Sequence, residues 1–298
     1  MRILCLGEAL VELICERPVA SFAEADAFAP HVGGAAAGVA ITAARHGADV
    51  ALAAAVGADA WGGWLQDRLQ AERVVLDHFA RSGDHATPVS FVTVGAEGQT
   101  TATTYGSRAP LVALGERLLD AVDAADALFY SSATLVDAPA RELTLAARAR
   151  AREAGKPVVL DPDLRANRWR STSAAVEIVG AAVAGAFLVK ANAGEARALT
   201  GELDVAAAAA SLLAAGAQHV VVTLGAGGAL LRGGGLDRTV RGVPAAPVDT
   251  TGAGDAVTGV LIAALARTGF YPAALAAMLP DAVAEAARAT ERYGAVTR

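Results

Sequence analysis

Asp249-Thr250-Thr251-Gly252-Ala253-Gly254-Asp255 runs straight into Val257, Val260, Leu261, Ala264 and Leu265, a polar, flexible stretch followed by apolar residues at helical spacing. Two glycines around a small alanine let consecutive backbone N–H groups converge on an anion, and a helix N-terminus adds about half a positive charge there. Asp255 then stands where a phosphate would lie. A carboxylate beside polyphosphate is costly unless a metal shares the charge or the carboxylate has a proton to accept. The chemistry to which this points is phosphoryl transfer to a hydroxyl, with Asp255 as general base and the Gly252, Ala253 and Gly254 backbone as the anion hole. The same Asp255 would also serve as a helix cap.

Asn192 and Glu195 form a second polar pair, at i and i+3 near an expected helix start, so both can face one side. Asn-x-x-Glu is also a capping pattern, which leaves two readings open. Lys190, two residues upstream, could reach a phosphate or stand solvated at a strand end. Thr223, Gly225, Gly227 and Gly228 make a strand-to-turn segment permissive enough for close approach of a nucleotide, or a plain tight turn. No Gly-x-x-x-x-Gly-Lys-Ser/Thr occurs, which excludes a Walker-type site, and no Gly-x-Gly-x-x-Gly follows the first strand, which disfavours a dinucleotide fold.

The elements that must hold these residues alternate along the chain. Ala127 to Tyr130 precedes a helix expected around 139–154, which ends at Gly155 before Val158 to Asp161. The pattern repeats with Phe187 to Val189, a helix starting near Ala193, and His219 to Thr223. Such β-α-β alternation predicts an α/β fold with a mostly parallel sheet covered by helices on both faces. Ligands in such sheets bind at the carboxyl ends of the strands, and the motifs at Gly7, Asp161, Asn192, Gly225 and Gly252 are all expected to follow strands. Two β-rich stretches break the alternation, at about 11–31 and 88–106, and read as an ordinary hairpin or as a separate small sheet.

Composition narrows the class. The 298 residues suffice for a substantial core. The balance of 25 basic against 31 acidic residues, a net −6 without blocks of like charge, argues against a nucleic-acid surface. A mean hydropathy of +0.40 is inflated by alanine and glycine, and charges interrupt every long apolar run, so no membrane span is expected. Glu8 comes too early for the apolar region of a signal peptide, and a cytoplasmic location is the expectation. Cys5 and Cys15 read as buried free thiols, and the five histidines, without zinc-ligand spacing, as surface or loop residues. Lys156 and Lys190 are the only lysines, which draws attention to the second.

Asp249 to Asp255 resembles the C-terminal signature of the ribokinase-like carbohydrate kinases, the phosphofructokinase B type. Gly7-Glu8-Ala9-Leu10-Val11-Glu12, Gly33-Gly34-Ala35-Ala36-Ala37-Gly38, Val56 to Gly62, Asp161-Pro162-Asp163-Leu164-Arg165, Asn192 to Glu195 and Thr223 to Gly228 follow in the family's order. The resemblance implies one ribokinase-like domain over 1–298, a three-layer α/β/α fold with a small β-sheet lid built from the two β-rich stretches, which in some members pairs two subunits. It implies ATP near Thr223, Gly225, Gly227 and Gly228, with Lys190 and Asn192 toward its phosphates. Mg²⁺ would be held by Glu195 through water, and K⁺ by oxygens at Asp249 and Thr251. It places a sugar at Glu12, Gly33, Gly34, Gly38 and Arg165.

Here the chain departs from the pattern. Gly38 replaces the usual Asn, removing an amide from the sugar site, Glu12 stands where Asp is common, and Asp163 replaces Asn. Fructokinase-like specificity is favoured, ahead of 2-keto-3-deoxygluconate, ribose or nucleoside phosphorylation. A catalytically weak sugar- or nucleotide-binding regulator is the alternative from another class.

Overall fold

The computed structural model describes residues 1–106, 110–165 and 168–296. Strand β1 (Arg2–Leu6) sets the layering, because its successive side chains point to opposite faces of the sheet. Ile3 and Cys5 join one buried cluster with Val39 of α1 (Ala35–Arg45), Leu65 of α2 (Ala60–Ala71), Leu261 of α8 (Ala253–Arg267) and Leu279 of α9 (Ala273–Thr290). Leu4 and Leu6 join the other, with Leu118 of α3 (Arg117–Ala124), Ala147 of α4 (Ala138–Glu153), Val179 of α5 (Thr172–Val183), Ala196 of α6 (Ala193–Thr200) and Leu212 of α7 (Val205–Ala214). The result is the three-layer α/β/α arrangement expected.

Among the described residues the central sheet has nine strands. β4 (Asp49–Gly57) and β5 (Phe79–Ser82) lie on one side of β1. On the other side follow β8 (Ala127–Ser131), β9 (Val158–Asp161), β10 (Leu188–Asn192) and β11 (His219–Thr223), all parallel. Only the edge formed by β12 (Ala229–Gly233) and β13 (Leu236–Val240) runs antiparallel. Strands buried on both faces read as continuous apolar runs, which is why Val158–Leu160 and Val220–Val222 were legible.

The two β-rich stretches meet although they are far apart in sequence. β2 (Leu10–Pro18), β3 (Ala29–Gly33), β6 (Val89–Val94) and β7 (Thr100–Tyr105) form a four-stranded sheet in the order β3-β2-β6-β7. Its hairpins are antiparallel, but β2 pairs with β6 in parallel, with Glu12 opposite Ser90 and Ile14 opposite Val92. Its alternate face carries a row of edge-to-face rings, Phe28 to Phe91 at 5.2 Å and Phe91 to Tyr105 at 5.8 Å. The tip of the β6–β7 hairpin is tied down: Thr250 donates through its N–H and its hydroxyl to the Gly98 carbonyl, at 3.2 and 3.1 Å.

Three expectations are corrected. The Gly252 turn does not follow a strand: residues 241–251 are irregular and contain Pro244 and Pro247, whose missing N–H groups cannot join a ladder. Two histidines are not peripheral. His31 in β3 is buried with Nε2 2.8 Å from Glu16 Oε1, and His219 in β11 is buried against the Phe187 ring with Nδ1 2.9 Å from the Phe187 carbonyl. Each finds one polar partner, which lowers the cost of burying an imidazole, although Nε2 of His219 stays unpartnered among the described residues. Lys190 is not solvated at a strand end but buried, for reasons that belong to the site. Cys5 and Cys15 are buried free thiols, and among the described residues no helix is long and apolar enough to cross a membrane.

Candidate active site

The carboxyl ends of β1, β9, β10 and β11, the first turn of α8 and the inner face of the small sheet border two cavities and the charged residues near them. Asp255 lies in the first turn of α8, whose cap is Gly252 at φ 77°, a left-handed conformation that glycine adopts without a steric penalty. Helix α1 crosses beside it. A β-carbon on Gly38 would stand 2.7 Å from Asp255 Oδ2, so the Asp255 carboxyl occupies the space that a side chain at position 38 would need. Asp255 keeps some exposure, as a group that must meet a ligand does. Removal from bulk water holds its carboxyl well above the ordinary Asp range; Asp161 and Asp163 add to this, and Lys190 and Arg165 oppose it.

Beneath the turn lies a buried ion pair. Lys190 Nζ donates to Asp161 Oδ2 at 2.9 Å, and the two side chains are 6% and 3% exposed. The same ammonium abuts the glycine turn, since a β-carbon on Gly254 would fall 2.6 Å from Nζ. Burial alone would lower this lysine, but Asp161, Glu195 and Asp255 around it raise it above the usual ammonium range, so it stays charged. One fixed positive charge therefore adjoins the N–H groups of Gly252 to Asp255, a combination suited to polyphosphate.

Asn192 and Glu195 form both bonds of a capping box, Asn192 Oδ1 accepting from the Glu195 N–H at 2.9 Å and Glu195 Oε2 from the Asn192 N–H at 2.8 Å. Glu195 Oε1 also accepts from the Leu164 N–H at 3.2 Å, which ties the start of α6 to the loop after β9. Burial, then Asp161, pushes the Glu195 carboxyl up to about 7. A half-buried carboxylate with spare lone pairs suits a hard cation bound through water, and Mg²⁺ takes few protein ligands. Among the described residues no three His, Cys, Asp or Glu side chains cluster to hold a metal by themselves. Asp249 is wholly buried, with Oδ1 accepting from the Thr251 N–H and Oδ2 from the Gly294 N–H, both at 2.8 Å. Each oxygen keeps a further lone pair, so Asp249 is a donor atom of the hard type that a monovalent cation takes.

Toward the small sheet lies a polar cavity of about 80 Å³, lined by Glu8, Glu12, Ser90, Thr104, Arg165 and Arg168. Glu12 is 6% exposed with Oε2 unpartnered, and burial raises its carboxyl to about 7 despite Arg165. Gly33 and Gly34 pack inward: a β-carbon at 33 would meet the Glu12 side chain at 2.5 Å, and one at 34, where φ is 96°, the Glu8 carbonyl at 2.3 Å. Together they fold the first turn of α1 against the root of the small sheet. Arg165 Nε bonds both Asp163 oxygens, at 3.0 and 3.1 Å, while its guanidinium borders the cavity. Asp163 holds φ 34°, left-handed backbone that Asn and Asp tolerate best, so its exchange for Asn keeps the turn.

Glu8 and Arg168 had no assigned role in the sequence. They form a bidentate ion pair, Arg168 Nη1 to Glu8 Oε2 at 2.9 Å and Nη2 to Glu8 Oε1, with side chains only 11% and 14% exposed. The pair closes one wall of the cavity. Nothing local could have paired residues 160 positions apart.

Beside the first turn of α8 a wide cleft of about 530 Å³ runs from Thr223, Gly225 and Gly254 to Val243, Pro244, Val283, Ala286 and Ala287. Gly225 has φ 58° and nothing within 4 Å of a notional β-carbon, so it leaves the mouth open. Gly227 and Gly228 shape the turn instead, the latter against the Val240 carbonyl.

A wide cleft bordered by Gly254, a charged cavity bordered by Arg165 and a raised Asp255 carboxyl that feels the Arg165 charge, in an α/β/α frame, suit a two-substrate transferase. The profile of the pfkB family carbohydrate kinases matches residues 1–298, and the chain belongs to that family of sugar kinases. It is 30% identical over 293 residues to the aminoimidazole riboside kinase of Salmonella typhimurium, covering 98% of this chain and 90% of that one. To a fructokinase of Salmonella typhimurium it is 32% identical over 269 residues, 89% of this chain and 87% of the other. The fold matches a fructokinase double mutant from Vibrio cholerae O395 in its fructose-, ADP- and potassium-bound form, with TM-score 0.84 and 30% identity over 99% of this chain and 94% of that one. It also matches the Salmonella enterica aminoimidazole riboside kinase complexed with aminoimidazole riboside and an ATP analogue, with TM-score 0.82 and 27% identity over 100% and 96% of the chains.

Proposed function

We propose that this chain is a cytoplasmic kinase that transfers the γ-phosphoryl of Mg-ATP to a hydroxyl of a small sugar, a fructose-like ketohexose being favoured. The observation that carries the reading is Asp255: a carboxyl raised by its surroundings, set in the first turn of α8 next to Gly254 of the wide cleft and within electrostatic reach of Arg165 of the polar cavity. ATP would occupy the wide cleft along Thr223, Gly225, Gly227 and Gly228, its phosphates directed at Gly252, Ala253 and Gly254. Asn192 would face those phosphates. Lys190 supplies the fixed charge beside the turn, and Mg²⁺, when bound near Glu195, neutralises phosphate charge. Asp255 accepts the hydroxyl proton as the oxygen attacks phosphorus, and the raised affinity of its carboxylate for a proton suits that task. Glu12, with an unpartnered oxygen, and Arg165 would orient the sugar beneath the small sheet, while Gly33, Gly34 and Gly38 shape its floor. Asp249 and Thr251 would hold K⁺ behind the anion turn. The row of rings on the outer face of the small sheet favours two copies meeting lid to lid.

ADP release from Mg-ATP, followed across hexoses, pentoses, sugar acids and ribosides, tests the reading beside Asp255→Ala. Turnover on one acceptor class is expected, with a loss of about 10²–10⁴-fold in the variant, the usual worth of a general base. Full activity in a folded Asp255→Ala protein would sink the assignment. ATP binding without turnover on any acceptor would favour the regulator.

A further inference from the structure

Among the described residues the wide cleft has no charged or amide side chain along its walls. Its lining is aliphatic, glycine, proline or threonine. Two of the three threonine hydroxyls have committed their protons, Thr250 to the Gly98 carbonyl at 3.1 Å and Thr290 to the Ala287 carbonyl at 2.7 Å, and Thr223 Oγ1 stands 3.5 Å from the Ala191 carbonyl at the edge of the cleft. One wall is a face of α9, where Val283, Ala286, Ala287 and Thr290 follow at i, i+3, i+4 and i+7; the other is the irregular 242–247 segment, in which Pro244 and Pro247 offer no N–H.

Resting on the reading of this cleft as the nucleotide site, we propose that the enzyme recognises the purine of its phosphoryl donor by shape and burial alone, so that GTP and ITP replace ATP with similar efficiency. With no acid, base or amide side chain to match one edge, the lining presents the same apolar surface to adenine, guanine and hypoxanthine. Apolar pockets discriminate between isosteres by about 10–200-fold at most, whereas sites built to hydrogen-bond a group reject its absence by about 10⁴–10⁵. Pyrimidine triphosphates, with one ring fewer to cover the α9 face, are poorer donors.

The test uses the full chain in two measurements. Calorimetric titration with ADP, GDP and IDP, without acceptor, reads the base contribution to binding; kcat/KM for ATP, GTP and ITP at saturating acceptor reads it in turnover. Dissociation constants and kcat/KM values within about tenfold across the purines are expected. ADP binding more than about a hundredfold tighter than GDP and IDP overturns the proposal and leaves the kinase assignment standing. Binding of none of the three diphosphates overturns both.

Discussion

The wide cleft and the polar cavity are built on opposite principles. The first is large, lined by small apolar side chains, and offers little beyond backbone and shape. The second is small and crowded with Glu8, Glu12, Arg165 and Arg168. Charge in this molecule is concentrated where the acceptor would be oriented and the proton moved, and thinned out where the donor base would lie. A low-dielectric pocket magnifies each charge and each error of pairing, so substitutions should be felt most on the charged side.

Three experiments press on that contrast. The largest effect is expected at Lys190→Met, which leaves Asp161 buried without its partner; breaking a buried pair costs about 3–5 kcal/mol. Denaturant unfolding should show this loss, and the double variant Lys190→Met, Asp161→Leu should recover much of it while remaining inactive. A single variant as stable as wild type would mean that the pair carries no such strain. Next, the acid limb of kcat/KM for the acceptor should lie well above the ordinary Asp range, because the free enzyme must lose a proton from a carboxyl that burial holds there. An acid limb at the ordinary Asp value would remove Asp255 from the role of base. The smallest effect concerns Glu12. Its folded carboxyl, at about 7, binds a proton more tightly than the unfolded one, so wild-type stability falls as pH rises from the ordinary Glu value through 7. Glu12→Gln should remove that decline, with a gain above pH 7 on the order of 1–3 kcal/mol in thermal or denaturant melts; parallel stability curves for the two proteins would place the proton elsewhere.

Much of this frame was legible because it is local. The apolar run Val158–Leu160, the strand His219–Thr223 and the start of α6 after Asn192 each declare themselves within a few residues. The Asn192 and Glu195 capping box was visible as a pattern, although the same two residues left a ligand role open. What escaped is long-range. The parallel pairing of β2 with β6, the Glu8–Arg168 wall and the Lys190–Asp161 pair join positions with no pattern between them. Gly38 looked like the loss of an amide, and only the crossing of α1 over α8 shows that the Asp255 carboxyl fills the vacated space. The approach to Gly252 differs from the strand expected there because Pro244 and Pro247 lack the N–H groups that a ladder needs.

The bond from Thr250 to Gly98 carries a consequence for how this chain can vary. Hairpin tips ordinarily accept insertions and changes of length, since nothing depends on where they end. Here the tip between β6 and β7 is gripped by the loop that leads into the anion turn, so the hairpin works as a ruler: one residue more or less would miss its landing place. A surface turn that looks freely editable is thereby bound to the same geometric tolerance as the residues buried beneath it.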